Sequence, residues 1–385
     1  MDINGNGEKK MLEIVKFIHE HKDWEILLSN APYNLKINWD DGFVLFKYNQ
    51  INSDFNEKIC REARGLILDS TDNFKVVRFA FEKFFNLGES YAAHIDWDTA
   101  VATEKIDGSI MSVWYARNKW HLSTNGTIDA FKAELAGVGP YKNFGELFES
   151  VLPLSKFDHF NKNRCWTFEL VSPYNKVVID YPQTQVYLLS VRNMGDLYEF
   201  GLDAVAMLAE ANGLMVPQRY DLNNEEDYRQ LVASMPEGHE GIVVRDTDGE
   251  RVKIKTLLYF EMHKAKNNGV ITLERIVDLI RANDHHEFLS YFPEYQSMFD
   301  DVKHQIDRAE GVEDKIRQDV ALWKNEHPFE EGDRTARKWF AQDYGKNKYA
   351  PLYFAEYDGR LVNAVETMET RKFISLFKIE LKEGV

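Results

Sequence analysis

Short apolar runs separated by polar stretches dominate the first two thirds of the chain. Runs rich in β-branched and aromatic residues, bounded by turn-forming residues, are typical of β-strands. The predicted strands are residues 43–48, 64–69, 74–79, 112–115, 166–171, 187–191, 241–245 and 251–255. An amphipathic helix is predicted before them from the helical spacing of Met11, Ile14, Val15 and Ile18.

The period of the apolar residues changes near Phe260. Beyond this point strand patterns nearly vanish, and apolar residues recur every three or four positions, as on one face of a helix. The helical sets are Leu273, Ile276, Val277 and Ile280; Phe299, Val302 and Ile306; and Ile316, Val320 and Trp323. We therefore predict an α+β fold class, with a strand-rich domain at residues 1–260 and an all-helical domain at residues 261–385.

Composition excludes several classes of protein. No apolar run is long enough to cross a bilayer and the first residues do not resemble a signal peptide, so we expect a cytoplasmic protein. Cys60 and Cys165 lack metal-ligand spacing and are expected to be buried thiols. The formal net charge of -16 argues against a protein that coats nucleic acid non-specifically. Any site for a polyanion must be a local cluster of cations within an acidic surface.

Lys105 is the candidate nucleophile. It lies two residues before an Asp-Gly pair in the sequence EKIDGS at residues 104–109. An amine attacks phosphorus only when it is unprotonated, so such a lysine needs cationic neighbours or desolvation to lower its pKa. The Asp-Gly pair predicts a tight turn that can aim a side chain into a cleft. The alternative is an exposed lysine beside an ordinary hairpin turn, and this stretch alone does not decide between them.

A second candidate feature is a pair of lysines on one strand. The predicted strands at 241–245 and 251–255 flank an Asp-Gly turn, which indicates a β-hairpin. Lys253 and Lys255 lie on the same face of the second strand, because side chains alternate with period two. They form either a paired cationic face or a guard against aggregation on an edge strand.

The order of these stretches resembles the motifs of covalent nucleotidyltransferases, the superfamily of DNA ligases, RNA ligases and mRNA capping enzymes. The motif residues are Lys105 in Lys-x-Asp-Gly, Glu169 in FELV, Glu240 in EGIVVR, and Lys253 with Lys255 in VKIK. Arg64 in REARG and Lys83 in FEKFFNLGE make the chain similar to the RNA ligase 1 family of T-even bacteriophages. DNA ligases and capping enzymes usually continue with a β-barrel domain, whereas helices are predicted here.

The resemblance implies an antiparallel-sheet-rich adenylation domain and a role for each motif residue. Lys105 would attack the α-phosphorus of ATP and hold AMP covalently. Lys253 and Lys255 would stabilise the developing negative charge and lower the pKa of Lys105. The implied nucleotide contacts are Arg64, Lys83, Lys105, Asp107, Glu169, Glu240, Lys253, Lys255 and Tyr259. Among these, Lys83 would reach the departing phosphates and Glu169 the ribose.

The resemblance also implies cofactors and partners. Glu240, together with Asp107, would hold Mg²⁺ or Mn²⁺, because hard cations prefer oxygen ligands and phosphates. The expected activity is ATP-dependent joining of RNA 5'-phosphate and 3'-hydroxyl ends by a monomer, in the host cytoplasm if the protein is of phage origin. The expected partner is single-stranded or nicked stem-loop RNA, such as a broken tRNA anticodon, chosen with help from the helical domain.

Several alternatives remain open at this point. The chain could be a DNA ligase or a capping-type guanylyltransferase. It could also be a non-catalytic protein that binds RNA ends with a decayed ligase core, although its intact motif residues argue against loss of the catalytic site. Tyr187 is either a platform for adenine or a core aromatic residue. His285 and His286 are expected to form a solvated surface pair rather than a metal site, because adjacent side chains on a helix diverge.

Overall fold

The computed structural model describes residues 11–50, 52–135, 139–175, 177–236, 238–256, 271–282, 285, 288–289, 295–327, 334–359 and 368–381. The chain forms two compact units, residues 1–263 and 264–385. Phe260, where the domain boundary is predicted, lies outside the described residues. The α+β fold class is confirmed, with antiparallel sheets in the first unit and helices in the second.

The first unit contains three sheets and several short helices. Its strands are β1 (Lys36–Asp40), β2 (Phe43–Lys47), β3 (Arg64–Asp69), β4 (Lys75–Arg78), β5 (Phe85–Asn86), β6 (Val101–Glu104), β7 (Ser109–Ala116), β8 (Lys119–Thr124), β9 (Arg164–Val171), β10 (Gln185–Asn193), β11 (Arg219–Tyr220), β12 (Gly241–Arg245) and β13 (Arg251–Lys255). Its helices are α1 (Glu13–Glu20), α2 (Trp24–Ser29), α3 (Lys58–Glu62), α4 (Phe144–Glu149), α5 (Leu202–Asn212) and α6 (Glu225–Ser234), with 3₁₀ helices at Ser70–Asp72, Ala130–Lys132 and Leu154–His159.

The strand order explains where the core lies. The first sheet has the order β1-β2-β3-β4, the second β10-β9-β7-β8, and the third β11-β6-β12-β13-β5. Neighbouring strands are antiparallel except β13 and β5, which are parallel. Four of the five residues of β2 are buried, because apolar side chains pack on both faces of the first sheet.

The eight predicted strands are present in the structure. The predicted N-terminal helix is also present, and Ile14, Val15 and Ile18 are buried on it as expected. Met11 was wrongly included in that apolar face: it precedes the helix, and half of its surface, 50%, is exposed. The pattern missed β1, β6 and β8, which carry polar or charged residues, and the two-residue strands β5 and β11.

The described helices of the second unit are α7 (Leu273–Ala282), α8 (Gln296–Glu326), α9 (Arg334–Tyr344), α10 (Ala350–Tyr357) and α11 (Thr370–Phe377). The sets around Phe299 and Ile316, predicted as successive helical runs, lie on α8, a single helix of 31 residues. A continuous stripe of buried residues on this helix joins the two sets. No helix in the described ranges is long and apolar enough to cross a membrane.

Two further predictions about side chains have different outcomes. Cys60 and Cys165 are buried free thiols, as predicted. His285 is buried, so its interpretation as a surface residue was wrong. Its ring lies parallel to that of Phe299, with centroids 6.5 Å apart, because the helical packing of this unit encloses it. His286 lies outside the described residues.

Candidate active site

Adjacent strands of the third sheet bring Lys105, Glu240 and Lys255 to one place. Lys105 directly follows β6, and its backbone N–H donates to the carbonyl of Gly241 at 2.9 Å. Glu240 directly precedes β12, and Lys255 pairs with Gly241 in the register of β12 and β13. Three motif residues that are far apart in sequence therefore meet because β12 lies between β6 and β13.

The backbone around Gly241 leaves no room for a side chain. Gly241 has a φ of +147°, and a Cβ atom here would collide with the carbonyl oxygen of Ile254 on β13. Only glycine accommodates both the backbone conformation and this approach. The glycine that follows Glu240 thus allows the strand to begin beside Lys255.

Glu240 lies between two lysines. Lys105 Nζ donates to Glu240 Oε2 at 2.6 Å, and Lys255 Nζ lies 3.3 Å from Glu240 Oε1. The side chains of Glu240 and Lys255 are 3% and 2% exposed, whereas that of Lys105 is 23% exposed. Of the three groups, Lys105 is therefore the one that solvent or a ligand can reach.

Asp107 is held by a segment that the sequence did not point to. Its Oδ2 accepts hydrogen bonds from the N–H groups of Val178 and Ile179, both at 2.8 Å. Its own N–H donates to the hydroxyl of Tyr181 at 3.1 Å. Burial raises the pKa of Asp107, and the charge of Glu240 raises it further. These contacts join residues more than 70 positions apart, so no local pattern could have indicated them.

Glu169 and Tyr187 face each other across β9 and β10. Burial raises the pKa of Glu169 to about 8; the charge of Lys105 opposes this rise and that of Glu240 adds to it. At neutral pH the carboxyl group is therefore mostly protonated, and it can donate as well as accept a hydrogen bond. Tyr187 is half-buried and its hydroxyl donates to Gln185 Oε1 at 3.0 Å.

Arg64 lies against two aromatic rings of the FEKFF stretch. Its guanidinium carbon is 4.7 Å from the ring centre of Phe81 and 5.0 Å from that of Phe84. Its charge lies close enough to Glu169 to affect the pKa of that residue. Within the described part of the chain, the buried Nε and Nη1 atoms of Arg64 have no hydrogen-bond acceptor. Such orphaned buried donors are suited to an anionic ligand.

Lys83 and Arg64 converge on Tyr48, a residue that the motifs did not include. Lys83 Nζ lies 4.8 Å from the ring centre of Tyr48 and donates to Gln50 Oε1 at 3.3 Å. Burial alone would raise the pKa of Tyr48, but the charges of Lys83 and Arg64 hold it below its ordinary value. The structure therefore places both cations beside the same tyrosine.

A fully buried arginine fixes the backbone at Arg64. Arg78 donates to the carbonyl oxygens of Arg64, at 3.0 Å, and Gly65, to Asn125 Oδ1 at 2.7 Å, and to Ser112 Oγ at 3.1 Å. Burial lowers the pKa of Arg78 to about 10. Gly65 has a φ of +71°, and a Cβ here would lie 2.8 Å from the carbonyl oxygen of Asn125. The start of β3 is thereby tied to the loop after β8.

Of the predicted site residues that remain, the structure describes Lys253 but not Tyr259. Lys253 lies on the same face of β13 as Lys255, opposite Val243 and next to Asn86 of β5. Tyr259 lies outside the described residues. Sequence reasoning also missed a second polar contact between neighbouring residues of the same two segments, in which His239 Nδ1 and Glu104 Oε1 are 2.8 Å apart.

A different buried carboxylate lies between the second and third sheets. Glu199 Oε2 accepts from Arg192 at 2.7 Å, and its Oε1 accepts from Ser190 at 2.7 Å and from Arg251. Arg245 Nη1 lies 3.7 Å from the same Oε1 atom. Burial alone would raise the pKa of Glu199, but the three arginines lower it to about 2. We call these four ionic side chains the Glu199 cluster.

The described residues contain no group of three or more histidine, cysteine or acidic side chains arranged to hold a metal ion. Glu240 and Asp107 remain the predicted ligands. Mg²⁺ commonly uses one or two carboxylates, with phosphate oxygens and water completing its coordination. The carboxylates present therefore fit a cation that binds together with a nucleotide.

Residues 62–268 match the model of the RNA ligase family. The chain belongs to this family. An RNA ligase of Rhodothermus phage RM378 is 27% identical, and the alignment covers 82% of this chain and 85% of that protein. A protein of Autographa californica nuclear polyhedrosis virus, whose name joins a polynucleotide kinase to an RNA ligase, is 26% identical over 66% of this chain and 38% of its own length. An archaeal ATP-dependent RNA ligase has a TM-score of 0.48 at 15% identity, covering 66% of this chain and 67% of that one.

Membership of the RNA ligase family confirms the predicted resemblance and the enzyme class. The family assignment covers the whole stretch from Arg64 to Lys255 that carries the motifs. The roles of the individual site residues stay predictions, which the geometry now makes specific.

Proposed function

We propose that this RNA ligase uses ATP and joins RNA ends through AMP bound to Lys105. The observation that carries this proposal is the partly exposed Lys105 amine beside buried Glu240 and Lys255. In the first step the amine attacks the α-phosphorus, a P–N bond forms and pyrophosphate leaves. An RNA 5'-phosphate oxygen then attacks the same phosphorus, which breaks the P–N bond. Finally a 3'-hydroxyl attacks the RNA phosphorus, the phosphodiester forms and AMP leaves.

The lysines supply the electrostatics of these steps. Lys105 Nζ donates to the carboxylate of Glu240 at 2.6 Å, so this contact describes a resting nucleophile. The charges of Lys255 and Lys253 would stabilise negative charge on the α-phosphate. Mg²⁺ or Mn²⁺ bound at Glu240 would neutralise phosphate charge. Glu240 would hold this cation in addition to contacting Lys105.

The other residues would bind and orient the substrates. The mostly protonated Glu169 can both donate to and accept from ribose hydroxyls. Lys83 would contact the departing phosphates, and the unfilled donors of Arg64 would contact the nucleotide or the RNA end. We further propose a monomeric cytoplasmic enzyme whose substrate is single-stranded or nicked stem-loop RNA, such as a broken tRNA anticodon.

Self-labelling tests the first step directly. Nucleotide-free protein is incubated with Mg²⁺ and with ATP or GTP labelled at the α-phosphate, and is then separated by denaturing electrophoresis. We expect label from ATP in the wild type and in Lys119→Ala, a control at an exposed lysine, and none in Lys105→Ala. Absence of label in the wild type would contradict the mechanism. Label from GTP would indicate a capping-type enzyme instead.

A further inference from the structure

Asn86 carries a buried oxygen atom that has no hydrogen bond within the described part of the chain. The residue is 3% exposed, and its Nδ2 atom donates to Glu89 Oε1. This contact fixes which way the amide points, because only its nitrogen can donate to a carboxylate. Oδ1 is therefore the buried atom that accepts from no described donor. Buried polar atoms are nearly always hydrogen-bonded, so this acceptor indicates a ligand that brings a donor.

The third sheet places Asn86 beside the proposed phosphate site. β5 pairs with β13, and Asn86 is the register neighbour of Lys253. Register neighbours share a face of the sheet, so Asn86 lies on the face that carries Lys253 and Lys255. The opposite face of β13 is packed, because Val252 and Ile254 belong to a buried apolar core. Asn86 thus lies on the face where the substrates are proposed to react.

The order of the strands separates Asn86 from the nucleophile. Lys105 directly follows β6, Asn86 lies on β5, and β12 and β13 lie between these strands. Three inter-strand spacings amount to about 14 Å. The ribose of AMP on Lys105 is assigned to Glu169, which lies on β9 in the second sheet. The group that reaches Asn86 is therefore a different part of the substrates.

The chemistry of the substrates limits what this group is. Ionised phosphate oxygens only accept hydrogen bonds, so a phosphate would leave Asn86 Oδ1 without a donor. Sugar hydroxyls do donate, and the RNA strand that supplies the attacking 3'-hydroxyl carries a 2'-hydroxyl on the same ribose. The 2'-hydroxyl is the group that lets a protein tell RNA from DNA at a given site. A neutral amide oxygen accepts a hydrogen bond without taking the proton, which suits binding and not base catalysis.

We propose that Asn86 Oδ1 accepts a hydrogen bond from the 2'-hydroxyl at the 3' end of the attacking RNA strand. Asn86 thereby holds this end beside Lys253 and makes the enzyme prefer an RNA end to a DNA end. Glu89 keeps the amide in the orientation that presents Oδ1. This inference rests on the proposed sealing of RNA ends and adds a specificity-determining residue for the strand that attacks.

Acceptor strands that differ at one position of one sugar test this proposal. A 5'-adenylated RNA, which bypasses self-labelling, is joined to RNA acceptors whose last nucleotide carries a 2'-hydroxyl or a 2'-hydrogen. We expect the wild type to join the 2'-deoxy acceptor roughly 10-fold more slowly, because Oδ1 is then left buried and unpaired. Asn86→Leu should join both acceptors at similar, slow rates. Asn38→Leu, the same change at an exposed strand asparagine, should keep the preference of the wild type.

Self-labelling with ATP distinguishes a contact with RNA from a contact with the nucleotide. We expect Asn86→Leu to label Lys105 within about two-fold of the wild type, because the proposed contact forms only with the acceptor strand. An equal loss of labelling and of sealing in Asn86→Leu would overturn the inference, since it would indicate a contact with ATP or with water on its metal ion. A folded Asn86→Leu that still prefers the 2'-hydroxyl would overturn it as well.

The wild type alone provides a test that needs no variant. Equal rates with the two acceptors would overturn the inference and leave the proposed sealing intact. A wild type that joins neither acceptor would refute the proposed sealing, and this inference with it. If Asn86→Leu does not fold, Asn86→Ala removes the same acceptor without added bulk and should show the same loss of preference.

Discussion

Two buried carboxylates of the first unit, Glu240 and Glu199, have opposite surroundings. Glu240 contacts two lysines, one of which is partly exposed. Glu199 contacts arginines from three strands. The exposed fraction of Glu199 is 9%, so both carboxylates are shielded from solvent. They therefore differ in the cations that surround them and not in their burial.

The difference between lysine and arginine distinguishes the proposed active site from a structural cluster. Lysine is a compact charge that can lose its proton, whereas arginine stays charged and makes several hydrogen bonds in fixed directions. Arg192, for example, also donates to the carbonyl oxygens of Ala80 and Leu197. The Glu199 cluster is thus fixed in place, while we propose that the contacts of Glu240 are exchanged for contacts with substrate.

Removing each carboxylate gives the largest expected effects. Glu199→Gln should destabilise the protein by about 3–5 kcal/mol, because it leaves buried arginine charges uncompensated. Glu240→Gln should cost less stability, since lysine can shed its charge, but should slow self-labelling by about 100-fold or more. Urea unfolding and labelling with ATP are measured for both variants. Equal loss of stability in the two variants would contradict the distinction between the sites.

Acid should weaken the Glu199 cluster specifically. The pKa of Glu199 is about 2 in the folded protein and about 4.3 when unfolded, so its ionised form stabilises the fold. This stability, about 3 kcal/mol, is fully present above the unfolded pKa and is lost as pH falls toward 2. Urea midpoints between pH 3 and 6 should fall more steeply for the wild type than for Glu199→Gln. Parallel curves would contradict the assignment.

Exchanging the two kinds of cation gives the smallest expected change in stability. Arg192→Lys keeps the charge but loses hydrogen bonds, which should cost about 1–2 kcal/mol and leave self-labelling nearly unchanged. Lys255→Arg should cost a similar amount of stability and reduce labelling strongly, because a planar guanidinium does not fit the position of the buried amine. Thermal unfolding and labelling rates check both variants. Strong labelling by Lys255→Arg would show that charge alone suffices there.

The sequence allowed prediction of the parts of the site that recur as local motifs. Lys105, Glu240 and Lys255 were predicted to act together, and the structure brings them into contact. The eight strands were found because their apolar and β-branched residues form local runs. Motif order in one chain was the informative signal, since each short pattern alone recurs by chance.

The rest of the site depends on contacts that the sequence does not encode locally. Arg78 donates a hydrogen bond to Asn125, which lies 47 positions away in the sequence. Arg251 donates one to Glu199, which lies 52 positions away. Strand register decides such contacts, and the apolar pattern reveals which residues face inward but not which strands are neighbours. The pairing of Lys36 with Lys47 was missed for the same reason, because these residues become neighbours only through the pairing of β1 and β2.

The separation of Lys105 from Glu240 has a consequence for synthesis of the protein. The two residues are 135 positions apart, and Lys255 follows later still. A nascent chain on the ribosome therefore cannot assemble this site until β13, which ends about two thirds of the way along the polypeptide, has emerged. Shorter translation products would carry the lysine without its partners. The order of the strands along the chain thus delays assembly of the proposed active site until β13 is present.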